Sequence, residues 1–323
     1  AYHCIARCVR RAFLCGQDVL TGRNFDHRRL WIRQLLQRLA ESFAIDVGGF
    51  AIMANHFHVV LRQRPDLTKT WTAEEVTRRW RLAFPKTRNF DGEPLVHQEE
   101  LLAAEAASPK LVEERRARLS DLSWFMRGIC EPVARRANVE DGCKGRFWEG
   151  RFRSVALLDD AAILACTAYV DLNPIRAGLA KTPESSPFTS ARERIEALKS
   201  PSGSPRTAAN SKAAWLAKFA AENLRRQTHD SLAWVAISVA DYLKLLDWTG
   251  RQVRLDKPGA IPADLVPIMD RLQIRAEIWT DLVRRFSALF KRSAGAADRL
   301  RDHAAKHRKR SLHGTAFARK AFG

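Results

Sequence analysis

Asn55-His56-Phe57-His58-Val59-Val60-Leu61 is the stretch on which the reading of this chain turns. Val59, Val60 and Leu61 form a β-branched, apolar run, so the stretch reads as a strand. Residues two apart on a strand share a face. His56 and His58 therefore project together on one side, while Phe57, Val59 and Leu61 project on the other, toward a core. Two imidazoles held side by side on a rigid strand can share one metal ion. The same spacing also suits two ordinary surface or core histidines, and the surrounding sequence has to decide between them.

Working outward, residues 2–7 read as a first strand, followed by a turn-rich stretch with Arg10, Arg11, Gly16 and Gly22. From His27 to about Ile45, Leu30, Trp31, Leu35, Leu39 and Phe43 recur at helical spacing. Asp46 to Ala54 forms a second strand, and Asn55 marks the turn into the histidine strand. Strand, helix, strand, strand is the opening of a split βαβ sheet.

Downstream, Thr72-Ala73-Glu74-Glu75 is a capping box that starts a helix carrying Arg78, Arg79 and Arg81. Residues 85–109, with Pro85, Gly92, Pro94 and Pro109, read as an irregular insertion. A long helix is expected from about Leu111 to Ala137. Gly145 to Ser154 alternates basic and aromatic residues and is placed on a strand with Arg151 and Arg153 on one face. Such interleaving suits a single strand of nucleic acid, arginines meeting phosphates while rings such as Trp148 stack on bases. An ordinary half-buried strand would show the same pattern.

Asp159 or Asp160 caps the next helix, expected to run to Asn173 and to end before Pro174. Tyr169 lies near its end, preceded on one stripe by Ala162, Ala165 and Cys166, small enough to let the helix sit close to the sheet. Asn173 is one turn after Tyr169 and shares its face. A core tyrosine and a helix-end amide before a proline are the bland alternatives.

At 323 residues the chain can bury a full core. No apolar run approaches the roughly 20 residues that a membrane span needs. The opening Ala1-Tyr2-His3-Cys4 is strand-like rather than a secretory signal, and without an initiator Met a few preceding residues are expected to have been removed. The six cysteines form no C-x-x-C pair, which argues against a zinc knuckle and for reduced thiols in the cytoplasm. A net charge of +19 implies an anionic partner, and with no membrane feature nucleic acid is the first candidate, a merely basic soluble surface being the alternative. From Arg301 onward the basic residues Arg301, Lys306, Arg308, Lys309, Arg310, Arg319 and Lys320 face one acid, Asp302, on a tail that lacks a core-forming pattern. Three parts are expected: residues 1–198 as the functional domain, 199–214 as a linker, and 215–323 as a mostly helical, basic extension.

Together these residues resemble a known family. His56-Phe57-His58, within Met53-Ala54-Asn55-His56-Phe57-His58, looks like the signature of the HUH-class single-tyrosine transposases. Phe147 to Phe152 and Tyr169-Val170-Asp171-Leu172-Asn173-Pro174-Ile175-Arg176-Ala177-Gly178 are similar to the second signature region of the REP-associated tyrosine transposases. The resemblance covers roughly residues 2–62 and 121–198, leaving out the 85–109 insertion and the C-terminal region. It implies an α+β fold, an antiparallel ferredoxin-like sheet flanked by helices, with a mostly helical C-terminal extension. It implies Tyr169 as nucleophile and His56, His58 and Asn173 as ligands of a divalent metal, Mg or Mn. The implied reaction is cleavage and rejoining of single-stranded, hairpin DNA through a 5′-phosphotyrosine. Arg151 and Arg153, with Arg10 and Arg11 as weaker candidates, would contact phosphates, and some members work as homodimers. A DNA- or RNA-binding protein that keeps the fold without cutting is the alternative. A replication initiator or relaxase is disfavoured, because neither a helicase domain nor a second nearby tyrosine is visible.

Overall fold

β1 (Tyr2–Arg7) pairs antiparallel with both β3 (His56–Gln63) and β4 (Arg153–Leu157), and β2 (Ile45–Ile52) pairs antiparallel with β3. The order β2-β3-β1-β4 is that of a split βαβ sheet. A fifth strand, β5 (Ser293–Ala294), lies parallel to β4 at the edge, so the sheet is mixed rather than purely antiparallel. This computed structural model describes residues 1–9, 14–18, 22–87, 99–199, 213–220, 233–255 and 266–322. Arg10, Arg11, residues 88–98 of the insertion and most of the expected linker fall outside them.

Alternation divides the sheet into two faces, because directly opposed residues of an antiparallel pair lie on the same side. His58 faces Ile5 and Ala51, His56 faces Arg7, and Val60 faces His3, so the histidines share their side with His3, Ile5 and Arg7. The other side carries Cys4, Ala6, Phe57, Val59 and Leu61, fully or almost fully buried. It packs on α1 (His27–Ser42) and α6 (Leu122–Glu140). Arg28 in α1 is fully buried and clamps this layer by pairing with Glu140 and Asp141 at the end of α6.

Between these helices run α2 (Pro65–Thr68), α3 (Ala73–Ala83), α4 (Glu99–Ala106) and α5 (Pro109–Arg118). Thr72 caps α3 as expected, accepting the Glu75 amide. The insertion is not wholly irregular, since α4 lies within it. The expected helix over 111–137 is two helices: the chain breaks after Arg118, and Asp121 caps α6 by accepting the Trp124 amide at 2.9 Å. The expected strand over 145–154 is also shorter, with only Arg153 and Ser154 of that stretch in β4.

The histidine face is covered by α7 (Asp160–Asp171), followed directly by α8 (Asn173–Arg176). Pro174 therefore opens a new turn rather than following a helix end. A proline fits a first helical turn, whose N–H would be unpaired anyway. Ala162, Ala165 and Cys166 are fully buried, and a Cβ at Gly49 would come within 3.2 Å of Thr167, so small residues do bring helix and sheet together. After α9 (Ser190–Lys199), the helices α10 (Val239–Leu255), α11 (Val266–Arg271), α12 (Trp279–Leu289), α13 (Ala297–Lys306) and α14 (Thr315–Ala321) follow.

The C-terminal helices build one core with α7: Tyr242, Leu246, Trp279, Leu282 and Phe286 belong to it. Asp159 ties the regions together, since one carboxylate oxygen caps α7 at the Ala162 amide and the other accepts the Ala296 amide at 2.6 Å. The basic end differs from expectation. Ala304, Leu312, Ala318, Ala321 and Phe322 are buried, so residues 301–322 are a folded surface with a core-facing side. Among the described residues, no helix is long and apolar enough to cross a membrane.

Candidate active site

β3 and the α7–α8 junction meet at His58. Its ring is 2 % exposed, with Nε2 3.1 Å from the side-chain nitrogen of Asn173 and Nδ1 2.9 Å from His3 Nε2. His56, two residues earlier on the same face, has its ring centre 4.7 Å from that of His58. Its Nδ1 lies 2.5 Å from Asn55 Oδ1, which leaves Nε2 as the unengaged ring nitrogen among the described contacts. Tyr169 presents its ring edge-on to His58 and to His3, 5.8 Å from each. Residues more than a hundred positions apart are thus brought together by one strand and one helix end.

Burial decides the protonation states. An imidazolium is costly out of water, so burial is the largest cause lowering all three histidines. His3 falls to about 3, with His56 as a further cause. His56 falls to about 4, with the Arg7 charge added. His58 is pushed well below its usual range by burial, then by His3, His56, Arg176 and Arg7. All three rings are neutral at pH 7, the form in which imidazole binds metal.

Tyr169 is 5 % exposed and sandwiched. The Arg176 guanidinium lies 4.6 Å from its ring centre, and Phe286 of α12 leans on it at 5.7 Å. Arg176 is itself held by donating to the Arg284 carbonyl at 2.7 Å. Two residues after Tyr169, Asp171 is fully buried and accepts from the Ser190 hydroxyl, the Ala191 amide and the Tyr242 hydroxyl. Burial raises its carboxyl, with the Arg194 charge opposing. The helix that carries Tyr169 is thereby fixed from both sides.

His56, His58 and Asn173 are a chemically reasonable set for a divalent cation. Among the described residues no three His, Cys, Asp or Glu side chains converge on a metal-sized space; the polar side chain that stands beside His58 from the helix side is the Asn173 amide. The atom of Asn173 that faces His58 Nε2, at 3.1 Å, is the amide nitrogen, a hydrogen-bond donor rather than a metal ligand. The amide offers an oxygen acceptor by turning over about its terminal bond. A mixed nitrogen and oxygen set suits Mn²⁺ better than Mg²⁺, which prefers oxygen.

A solved structure resembles this chain. It is that of a REP-associated tyrosine transposase bound to a REP hairpin, 12% identical, covering 62% of this chain and 81% of that one, with a TM-score of 0.35. No family model and no curated protein matches the sequence.

Of the expected phosphate contacts, Arg153 is exposed on the histidine side of the sheet, opposite Ile5. Arg151 is not beside it on a strand; it is exposed before β4 and donates to the Ser123 hydroxyl at 2.8 Å. Trp148 lies on the other side. Its indole packs against Phe57 at 5.7 Å and donates to the Cys130 carbonyl at 2.7 Å, so it works as a half-buried anchor. Three neighbours of the site carry no role in the sequence pattern: His3, Arg7 and Arg176. Strand alternation from Ile5 would have reached His3 and Arg7. Arg176 stands within the very stretch, Asn173 to Gly178, that singled out Asn173.

Proposed function

We propose that this protein cuts and rejoins single-stranded DNA, hairpin-forming in particular, by transesterification through Tyr169. In this reading the Tyr169 oxygen bonds to the scissile phosphorus and the bond from phosphorus to the 3′ oxygen breaks. The strand end is held as a 5′-phosphotyrosine, and a 3′-hydroxyl is released, carrying a proton. The covalent bond conserves the phosphodiester energy, so rejoining needs no nucleotide triphosphate. Arg7, Arg153 and Arg176 supply positive charge around the phosphate, where negative charge grows in the transition state. His56, His58 and Asn173 would hold a divalent ion, Mn²⁺ or Mg²⁺, which when bound polarises the phosphate.

What supports this reading is the meeting of Tyr169, His56, His58 and Asn173 around one buried histidine. A second reading, a protein that binds nucleic acid without cutting, draws support from the near-complete cover of Tyr169 beneath Phe286. One experiment separates them: labelled single-stranded hairpin DNA incubated with the protein and Mn²⁺, then run on a denaturing gel. A shifted, protease-sensitive band is expected from the wild type and none from Tyr169→Phe, which deletes one oxygen and keeps the ring, so DNA binding is retained. Asn173→Ala keeps the hydroxyl and is expected to lower the yield of adduct, with partial recovery at high Mn²⁺. A band that persists in Tyr169→Phe names another nucleophile, and no band from the wild type favours the non-cleaving reading.

A further inference from the structure

His3 has no role in the chemistry above, yet it is 1 % exposed on the middle strand of the sheet, where an aliphatic residue would pack at no polar cost. Its position is built around His58. The two rings are nearly parallel, 16° apart, with centres at 5.1 Å, while His3 Nε2 and His58 Nδ1 are 2.9 Å apart. Those two distances together place both nitrogens on the line between the ring centres. The pair is an in-plane hydrogen bond rather than a face-to-face stack.

The direction of that bond follows from the other end of His58. The Asn173 side-chain nitrogen, a donor, faces His58 Nε2 at 3.1 Å, so Nε2 accepts. A neutral imidazole that accepts at Nε2 carries its proton on Nδ1. That proton is donated to His3 Nε2. A chain of donors therefore runs from Asn173 through His58 to His3.

We propose that His3 is a positioning residue for His58: by accepting the Nδ1 proton it fixes both ring angle and tautomer, so that the Nε2 lone pair is aimed at Asn173. Metal-bound histidines usually pass their second N–H to a carboxylate, a backbone carbonyl or water, and such partners orient the ligand. Here a neutral ring does it, which avoids a carboxylate charge at a position only 1 % exposed. The role as support for a metal ligand rests on the proposed function; the control of the tautomer does not.

The test uses the full chain. Long-range nitrogen–proton NMR of the metal-free wild type is expected to find His58 protonated on Nδ1, and His58 protonated on Nε2 overturns the proposal outright. Free Mn²⁺ is then titrated and followed by its paramagnetic resonance. His3→Phe, which keeps a ring and loses the acceptor, is expected to weaken Mn²⁺ binding by about 10- to 100-fold. His3→Gln, which restores an acceptor, is expected to recover most of it. Unchanged Mn²⁺ affinity in a folded His3→Phe overturns the proposal while leaving the proposed function standing. If the wild type binds no Mn²⁺ yet its His58 is protonated on Nδ1 and loses that preference in His3→Phe, the proposed function fails and the role of His3 as tautomer setter is upheld.

Discussion

At the scale of single residues, the histidine cluster makes stability depend on pH with a definite sign. His56 is lowered to about 4 and His3 to about 3, while an unfolded chain titrates histidine near 6.5. Below pH 6.5 the unfolded state takes up protons that the folded state refuses, so stability falls as pH falls. For the metal-free protein the loss begins near 6.5 and continues down to the folded values, at about 1.4 kcal/mol per pH unit for each histidine. Urea midpoints in EDTA at pH 7 and pH 5 check this, and His56→Gln is expected to shrink the difference. A flat profile would mean that the rings are not held neutral by the fold. Spacing of two on a strand and four on a helix puts His56 with His58, and Tyr169 with Asn173, on one face each; that the two pairs belong to one site was an expectation from the family resemblance. His3 was not legible, since its partner lies on another strand, and register between strands is set by pairing that no local pattern reports.

At the scale of elements, α7 depends on a contact from the far C-terminal region. The Tyr242 hydroxyl of α10 meets the Asp171 carboxylate at 2.5 Å, both fully buried. A hydrogen bond to a charged group contributes about 1.5–3 kcal/mol, and removing one donor leaves the acceptor short in a dry site. Tyr242→Phe is therefore expected to destabilise the protein by about that amount in chemical denaturation. Because Asp171 lies two residues from both Tyr169 and Asn173, the same variant is expected to slow adduct formation on hairpin DNA more than it weakens DNA binding. Equal stability and equal adduct yield would remove this contact from the account of the site. The misread elements have local causes. The break at Asp121 is a capping signal inside a run of good helix formers, overlooked because the flanking pattern is helical on both sides. Pro174 marks a start as legitimately as a stop. β5, two residues long, is too short for any periodicity to reveal, and it is what turns an antiparallel sheet into a mixed one.

At the scale of the whole molecule, charge and fold meet at the C-terminal end. Arg301, Lys306, Arg308, Lys309, Arg310, Arg319 and Lys320 are all exposed, while Leu312, Ala318, Ala321 and Phe322 between and beside them are buried. Cutting the segment off would open the core shared with α12, and lost activity would then report unfolding. Substitution separates the two effects. Lys306, Arg308, Lys309 and Arg310 changed together to Gln keep the buried residues, so thermal stability is expected to stay close to that of the wild type. If these side chains meet phosphates, each contact releases counterions when nucleic acid binds. The slope of log affinity against log salt for a single strand changes by about 0.7 per phosphate contact, so the fourfold variant is expected to be shallower by up to about 3. Affinity should fall by a similar factor for unrelated sequences, because phosphate contacts position a strand without reading it. Binding isotherms at several salt concentrations, with two unrelated oligonucleotides, measure both. An unchanged slope with a folded protein would show that this basic surface faces something other than nucleic acid. In the proposed function, strand affinity would then have to come from basic side chains elsewhere, Arg7, Arg151, Arg153 and Arg176 among them.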